Sequence, residues 1–226
     1  MAKLTIEQRC RLEAAGLKGR QLKWSFKSAP TQVQNSTAYK AVKAWSNTKT
    51  PKPPGLVLYG PAGLGKTGLA ISTVRERAFA GDGAAIDWVS TAHPDVRRGM
   101  ATKGLRVRAA PVWFESWASI SMRLWSASMN GVDRSDPRSV GELIDELQSL
   151  SLLVVDDLDV GTYTEFREMV MLSILERVSL GKRLIIVMNR APEELIDSFG
   201  ERVADRLQDT EMVLVIPMSG ESLRRK

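Results

Sequence analysis

The chain has 226 residues, 43% of them hydrophobic, with one cysteine, one histidine and a formal net charge of +6. That length suits one well-filled core with a small appendage, while a lone Cys10 excludes an internal disulfide and argues against structural zinc, and a lone His93 argues against histidine-based catalysis. No window approaches eighteen uninterrupted apolar residues and the opening "MAKLTIEQRC" holds no signal-peptide core, so neither membrane insertion nor secretion is expected and the chain is read as cytoplasmic.

Charge is uneven. Residues 1–54 carry eleven Lys or Arg against Glu7 and Glu13, a net of +9, which leaves −3 for residues 55–226. A basic leader suits a polyanion such as nucleic acid, and equally suits solvated lysines on an exposed segment. Within it, "LTIEQRCRLEAAGL" has short helical periodicity, Trp24 and Phe26 follow, and a helix is expected over about 36–46 before the Pro-rich joint at 51–54. Strands and helices then alternate. "GLVLY" reads as a buried strand, "KTGLAISTVRERAFA" as a helix, "AAIDWVST" as a strand, and "VWFES" as a short strand running into the helix "WASISMRLWSAS". Ser139 and Glu142 in "SVGELIDELQ" form a capping-box pattern. Strand "SLLVVDD", a long helix within 163–180, strand "RLIIVMN", helices over "PEELIDSF" and "ERVADRLQ", and strand "MVLVIP" complete the chain. This alternation predicts an α/β fold with a parallel sheet covered on both faces.

The chemistry concentrates at "YGPAGLGKTG", residues 59–68. Gly60, Gly65, Lys66 and Thr67 fit G-x-x-x-x-G-K-[ST] between a predicted strand and a predicted helix, the setting the motif requires. The loop residues Gly60, Pro61, Ala62, Gly63, Leu64, Gly65 and Gly68 would cradle ATP phosphates, all but Pro61 through their backbone amides, together with the helix N-terminus. Lys66 would reach the β and γ groups, and Thr67 would ligate Mg2+. The run "LLVV" ends in Asp156 and Asp157. Ligands gather at the C-terminal edge of a parallel sheet, so Asp156 is the second candidate magnesium ligand and Asp157 the candidate group polarising the attacking water. Glutamate is more usual at the second position in this class of ATPase.

With both motifs placed, the chain resembles the DnaC and IstB family of AAA+ ATPases, the helicase loaders and transposition helpers. "AAGLKGRQLKWSF" with "AYKAVKAW" resembles the family's lead-in to its nucleotide pocket, and "LLVVDDLD" its Walker B segment. "LIIVMNR" stands where the sensor strand ends in Asn, "SFGERVADRLQD" resembles the arginine-finger helix, and "GESLRRK" the closing sensor motif, with Leu223 in place of an aromatic. The likeness spans about residues 13–226.

The resemblance implies a P-loop NTPase of the AAA+ (ASCE) type: a parallel five-stranded sheet flanked by helices, without a large C-terminal lid domain. It divides the chain into a basic leader, 1–30, and an ATPase domain, 31–226. It implies that Asn189 orients water, that Arg206 (or Arg202, one turn earlier) reaches a neighbouring subunit's γ phosphate, and that Arg224 contacts phosphate in its own subunit. Without it, Arg202 and Arg206 read as exposed helix charges paired with Glu201 and Asp205. A finger acting across subunits implies a ring or spiral oligomer whose ATP hydrolysis is slow until assembled. The family binds single-stranded DNA in its channel, for which Arg97, Arg98, Lys103, Arg106, Arg108 and Arg123 are the candidate contacts. Trp113, Phe114 and Trp117 read more readily as core. The expected partner is a replicative helicase, in a bacterial or phage-encoded loader, or alternatively a transposase. A small-molecule kinase has no use for a trans-acting finger. A nucleotide-gated scaffold with negligible turnover is the remaining alternative.

Overall fold

Five short apolar runs form the strands β1 (Gly55–Tyr59), β2 (Val112–Ser116), β3 (Leu152–Asp156), β4 (Arg183–Val187) and β5 (Val213–Pro217). They make one five-stranded parallel sheet in the order β2-β3-β4-β1-β5. β3 and β4 are buried at every position, as strands covered on both faces must be, whereas the edge strand β5 is only partly buried. The register sets Val57 between Ile186 of β4 and Val215 of β5, and Val154 beside Ile185. The computed structural model describes residues 4–80, 112–130, 139–159 and 161–224. The strand expected at 84–91 and the basic segment 93–111 lie outside the described residues.

The chain folds as two compact units, one of residues 1–49 and 67–114, the other of residues 50–66 and 115–226. In the first unit, α1 (Ile6–Ala14) opens on a Thr5/Gln8 capping box, and α2 (Thr31–Gln34) precedes α3 (Thr37–Asn47), which Ser36 caps by accepting from the Tyr39 amide. The leader is part of a core: Leu12, Leu17, Phe26 and Val42 are buried, and among the large apolar residues of α1 only Ile6 is left exposed. Trp24 lies so close to Gly68 on α4 (Lys66–Phe79) that any Cβ there would overlap its ring, and Arg75 donates to the Leu22 carbonyl at 3.0 Å.

In the second unit, α5 (Trp117–Asn130) follows β2 without a break, and α6 (Val140–Ser149) starts on the expected Ser139/Glu142 capping box, with Ser139 N donating to Glu142 at 2.7 Å. The central helix is α7 (Glu165–Ser179), packed against β4, α6, α8 (Ile196–Phe199) and α9 (Glu201–Arg206). Arg177 on α7 is fully buried and donates to the Leu150 carbonyl beyond α6 at 2.6 Å, and burial lowers its pKa to about 9. Trp117 meets Phe199 edge to face at 5.2 Å, and Trp113, Phe114 and Trp117 are all buried, so burial accounts for these aromatics. No helix among the described residues is long and apolar enough to cross a membrane.

Candidate nucleotide-binding site

The loop after β1 turns through positive φ at Gly60 (131°), Gly63 (87°) and Gly65 (89°), a region where a side chain clashes with its own backbone. Tertiary packing adds a second demand at two of them. A Cβ on Gly60 would overlap the Met218 carbonyl oxygen, and one on Gly63 the Ser222 hydroxyl. Residues 218–223 thus lie along the loop, with Met218 N donating to Tyr59 O at 2.8 Å and Leu223 N to Gly63 O at 2.9 Å. Pro61 and Ala62 are exposed, Leu64 is buried, and Thr67 and Gly68 continue as the first turn of α4.

Lys66 is the centre of this loop. Its ammonium has three donors and uses all of them, on Gly60 O (2.6 Å), Pro61 O (2.8 Å) and Asn189 Oδ1 (3.1 Å). A phosphate can therefore be reached only by exchanging one of these acceptors. Burial lowers the Lys66 pKa; the charges of Asp159, Asp156 and Asp157 oppose that shift, and Arg224 adds to it. Asp156, at the end of β3, is 7% exposed, whereas Asp157 is exposed with φ 53°, the one described non-glycine residue with positive φ. The parallel strands β3 and β4 thus deliver Asp156 and Asn189 to one edge, beside the loop that follows β1.

Asp156 is a buried carboxylate whose charge acts on Lys66, and such a group suits a hard divalent cation bound chiefly through substrate oxygens, water and one or two protein ligands. Among the described residues no cluster of three or more His, Cys, Asp or Glu forms a dedicated metal cage.

Sequence reasoning missed Asp159. It lies in the half-buried turn after β3, where its carboxylate accepts from Asn189 N and from Asn189 Nδ2, each at 3.1 Å. The third acidic residue of "DDLD" was visible, but its partner thirty residues away was not. The other arginines divide. Arg206 makes a loose, solvent-exposed ion pair with Glu176 at 3.5 Å, and Arg202 is exposed. Arg224 is exposed and close enough for its charge to act on Lys66. Arg123, a candidate DNA contact, instead holds the buried Glu115 with Nη2–Oε2 at 2.5 Å and Nε–Oε1 at 3.1 Å; a guanidinium so engaged neutralises a core carboxylate. Arg97, Arg98, Lys103, Arg106 and Arg108 lie outside the described residues.

No protein-family model matches the chain. Among solved structures it superposes on the replication initiator DnaA bound to AMPPCP and single-stranded DNA with a TM-score of 0.60, at 18% identity, over 87% of this chain and 50% of that one. It superposes on the DnaC helicase loader with a TM-score of 0.58, at 19% identity, over 88% of this chain and 99% of that one. Strand order, phosphate loop and these superpositions define the fold, that of an AAA+-type P-loop domain. In sequence, 83 residues are 30% identical to the replicative helicase loader DnaC of Escherichia coli K12, covering 36% of this chain and 34% of that protein. The chain is thus similar to DnaC helicase loaders over about a third of its own length, and that likeness spans about a third of the length of those curated relatives.

Proposed function

We propose that the chain is an ATP-dependent AAA+ ATPase that assembles on single-stranded DNA and loads or remodels a replicative helicase in the cytoplasm, with residues 31–226 as its ATPase domain behind the leader, 1–30. The observation that carries this reading is the convergence of Lys66, Asp156 and Asn189 at one sheet edge in a chain whose sequence likeness is to helicase loaders.

ATP would lay its phosphates in the loop 60–66, where backbone amides and the N-terminus of α4 supply positive potential. Lys66 would exchange a loop carbonyl for a β or γ oxygen, and Asn189 would accept a hydrogen bond from the attacking water. Asp157 would polarise the same water as its base. Mg2+, when bound, withdraws charge from the transferring phosphoryl group; Thr67 and Asp156 would hold it. Arg224 would add positive charge within the same chain, and Arg206 of a second copy would meet the charge that develops on the γ phosphate. The half-buried, weakly paired state of Arg206 supports that role, because only one long ion pair must be broken to free it. The basic residues Arg97, Arg98, Lys103, Arg106 and Arg108 are our proposed contacts to the DNA backbone.

The test is ATP turnover with and without single-stranded DNA, beside Arg206→Ala, with particle mass followed by light scattering, and then helicase-dependent unwinding with the chain added. DNA and ATP should together raise mass and turnover, the variant should assemble but turn over at least about 100-fold more slowly, and unwinding should rise with added chain. A monomer indifferent to DNA would overturn the finger assignment. Assembly with negligible turnover would leave a nucleotide-gated scaffold, and assembly without any effect on a helicase would turn the search to a transposase.

A further inference from the structure

An asparagine amide is nearly symmetric in shape, so packing alone does not decide which end faces a site; the hydrogen-bonding partners do. At Asn189 those partners leave no choice. Asp159, an ionised carboxylate, only accepts, so the group facing it must be the NH2; Lys66, an ammonium, only donates, so the group facing it must be the oxygen. Asp159 also accepts from the Asn189 main-chain N–H through its other oxygen, so one carboxylate spans the backbone and the side chain of the same residue. The backbone builds this pairing. Past the strand ends, Leu158 N donates to Val187 O at 3.1 Å, which carries the β3–β4 ladder one step further and sets Asp159 against Asn189.

We infer that Asp159 is a positioning residue that fixes the amide polarity of Asn189, so that Asn189 turns an acceptor oxygen toward the phosphate site. The inference deepens the ATPase reading and rests on it for its catalytic consequence. Lys66 favours the same orientation only while it stays on Asn189. Once Lys66 moves to a phosphate, Asp159 alone keeps the oxygen presented to water. A free amide would then sample the reversed orientation and offer its NH2 to the phosphate instead. Asp159 also stands first among the carboxylates whose charge acts on Lys66, so the competing role is a direct field on the lysine, and the test must separate the two.

The chain has four asparagines, Asn35, Asn47, Asn130 and Asn189, which makes their side-chain amides assignable in asparagine-labelled protein, with Asn189→Ala identifying the signal. Three proteins should be compared with the parent: Asp159→Ala, Asn189→Ala and the double variant, each with and without AMPPCP. We expect Asp159→Ala to shift the Asn189 amide signal and speed its hydrogen exchange, and to lower kcat about 10-fold with KM nearly unchanged. Adding Asp159→Ala to Asn189→Ala should lower kcat no further, and Asp159→Asn, which keeps one acceptor, should recover part of the loss. An unmoved amide signal, or losses that multiply in the double variant, would overturn the inference in favour of an independent action on Lys66. If the parent protein hydrolyses no ATP, the ATPase reading fails, and the amide signal still decides whether Asp159 sets Asn189.

Discussion

The phosphate loop and the arginine helix α9 place their cations in opposite ways. Lys66 is buried, with three hydrogen bonds of 2.6 to 3.1 Å from one ammonium, and its Asn189 partner is itself held by Asp159. Arg206 is half-buried and 3.5 Å from an exposed Glu176. A buried charge with every donor engaged is preorganised within one chain and costly to disturb. An exposed pair is screened, contributes little, and is free to take another partner. The first arrangement is built within one chain; the second leaves its cation able to exchange partners.

Substitutions that disturb each side of this contrast should differ in kind. Lys66→Ala should weaken binding of an ATP analogue about 100-fold by calorimetry, the loss of a charge-assisted hydrogen bond to phosphate. Next, Gly60→Ala should lower unfolding free energy by about 2 kcal/mol in denaturant titration, because positive φ and the Met218 carbonyl both oppose a methyl group. Gly181→Ala, also at positive φ (72°) but with open space around it, should cost only about 1 kcal/mol.

The pH dependence tests the buried side alone. Lys66 binds phosphate as the ammonium, and burial places its folded pKa below the ordinary 10.5. Nucleotide affinity should therefore fall as pH rises through that lowered value, and Lys66→Met should remove this alkaline limb. The same shift has the opposite effect on apo stability: the charged form is disfavoured in the fold, so this contribution improves between the folded pKa and 10.5. The smallest effect belongs to the exposed side. Arg206→Ala and Glu176→Gln should each change unfolding free energy by no more than about 0.5 kcal/mol, even where Arg206→Ala abolishes turnover of the assembled protein. A large stability loss in Arg206→Ala would show that the contrast between the two cations is false.

Periodicity made most of this fold legible. Apolar runs bounded by Gly, Pro and Asp became β1, β3, β4 and β5 within a residue or two, and the Ser139 capping box began α6 as expected. The helix expected over 36–46 is α3, Thr37–Asn47. Boundaries failed where local signals competed: "PEELIDSF" splits into a 3-10 turn, Pro192–Leu195, and the four-residue α8. The basic leader read as an appendage because its charge dominates its composition, yet its few leucines and aromatics suffice to pack it.

The sequence by itself determined the strand–loop–helix around Lys66, since glycine spacing and hydrophobic period act over a few residues and need no distant partner. It also carried Asp156 and Asn189 to a common sheet edge, because parallel strands end on the same side. Only the tertiary structure decided which charges meet. That Asp159 clamps Asn189 and that residues 218–223 lie along the phosphate loop depend on hydrogen bonds closed between segments far apart in the chain, and that Glu115 engages Arg123 depends on the turn from β2 into α5. Residue type states what a group can donate or accept; the fold alone states to whom.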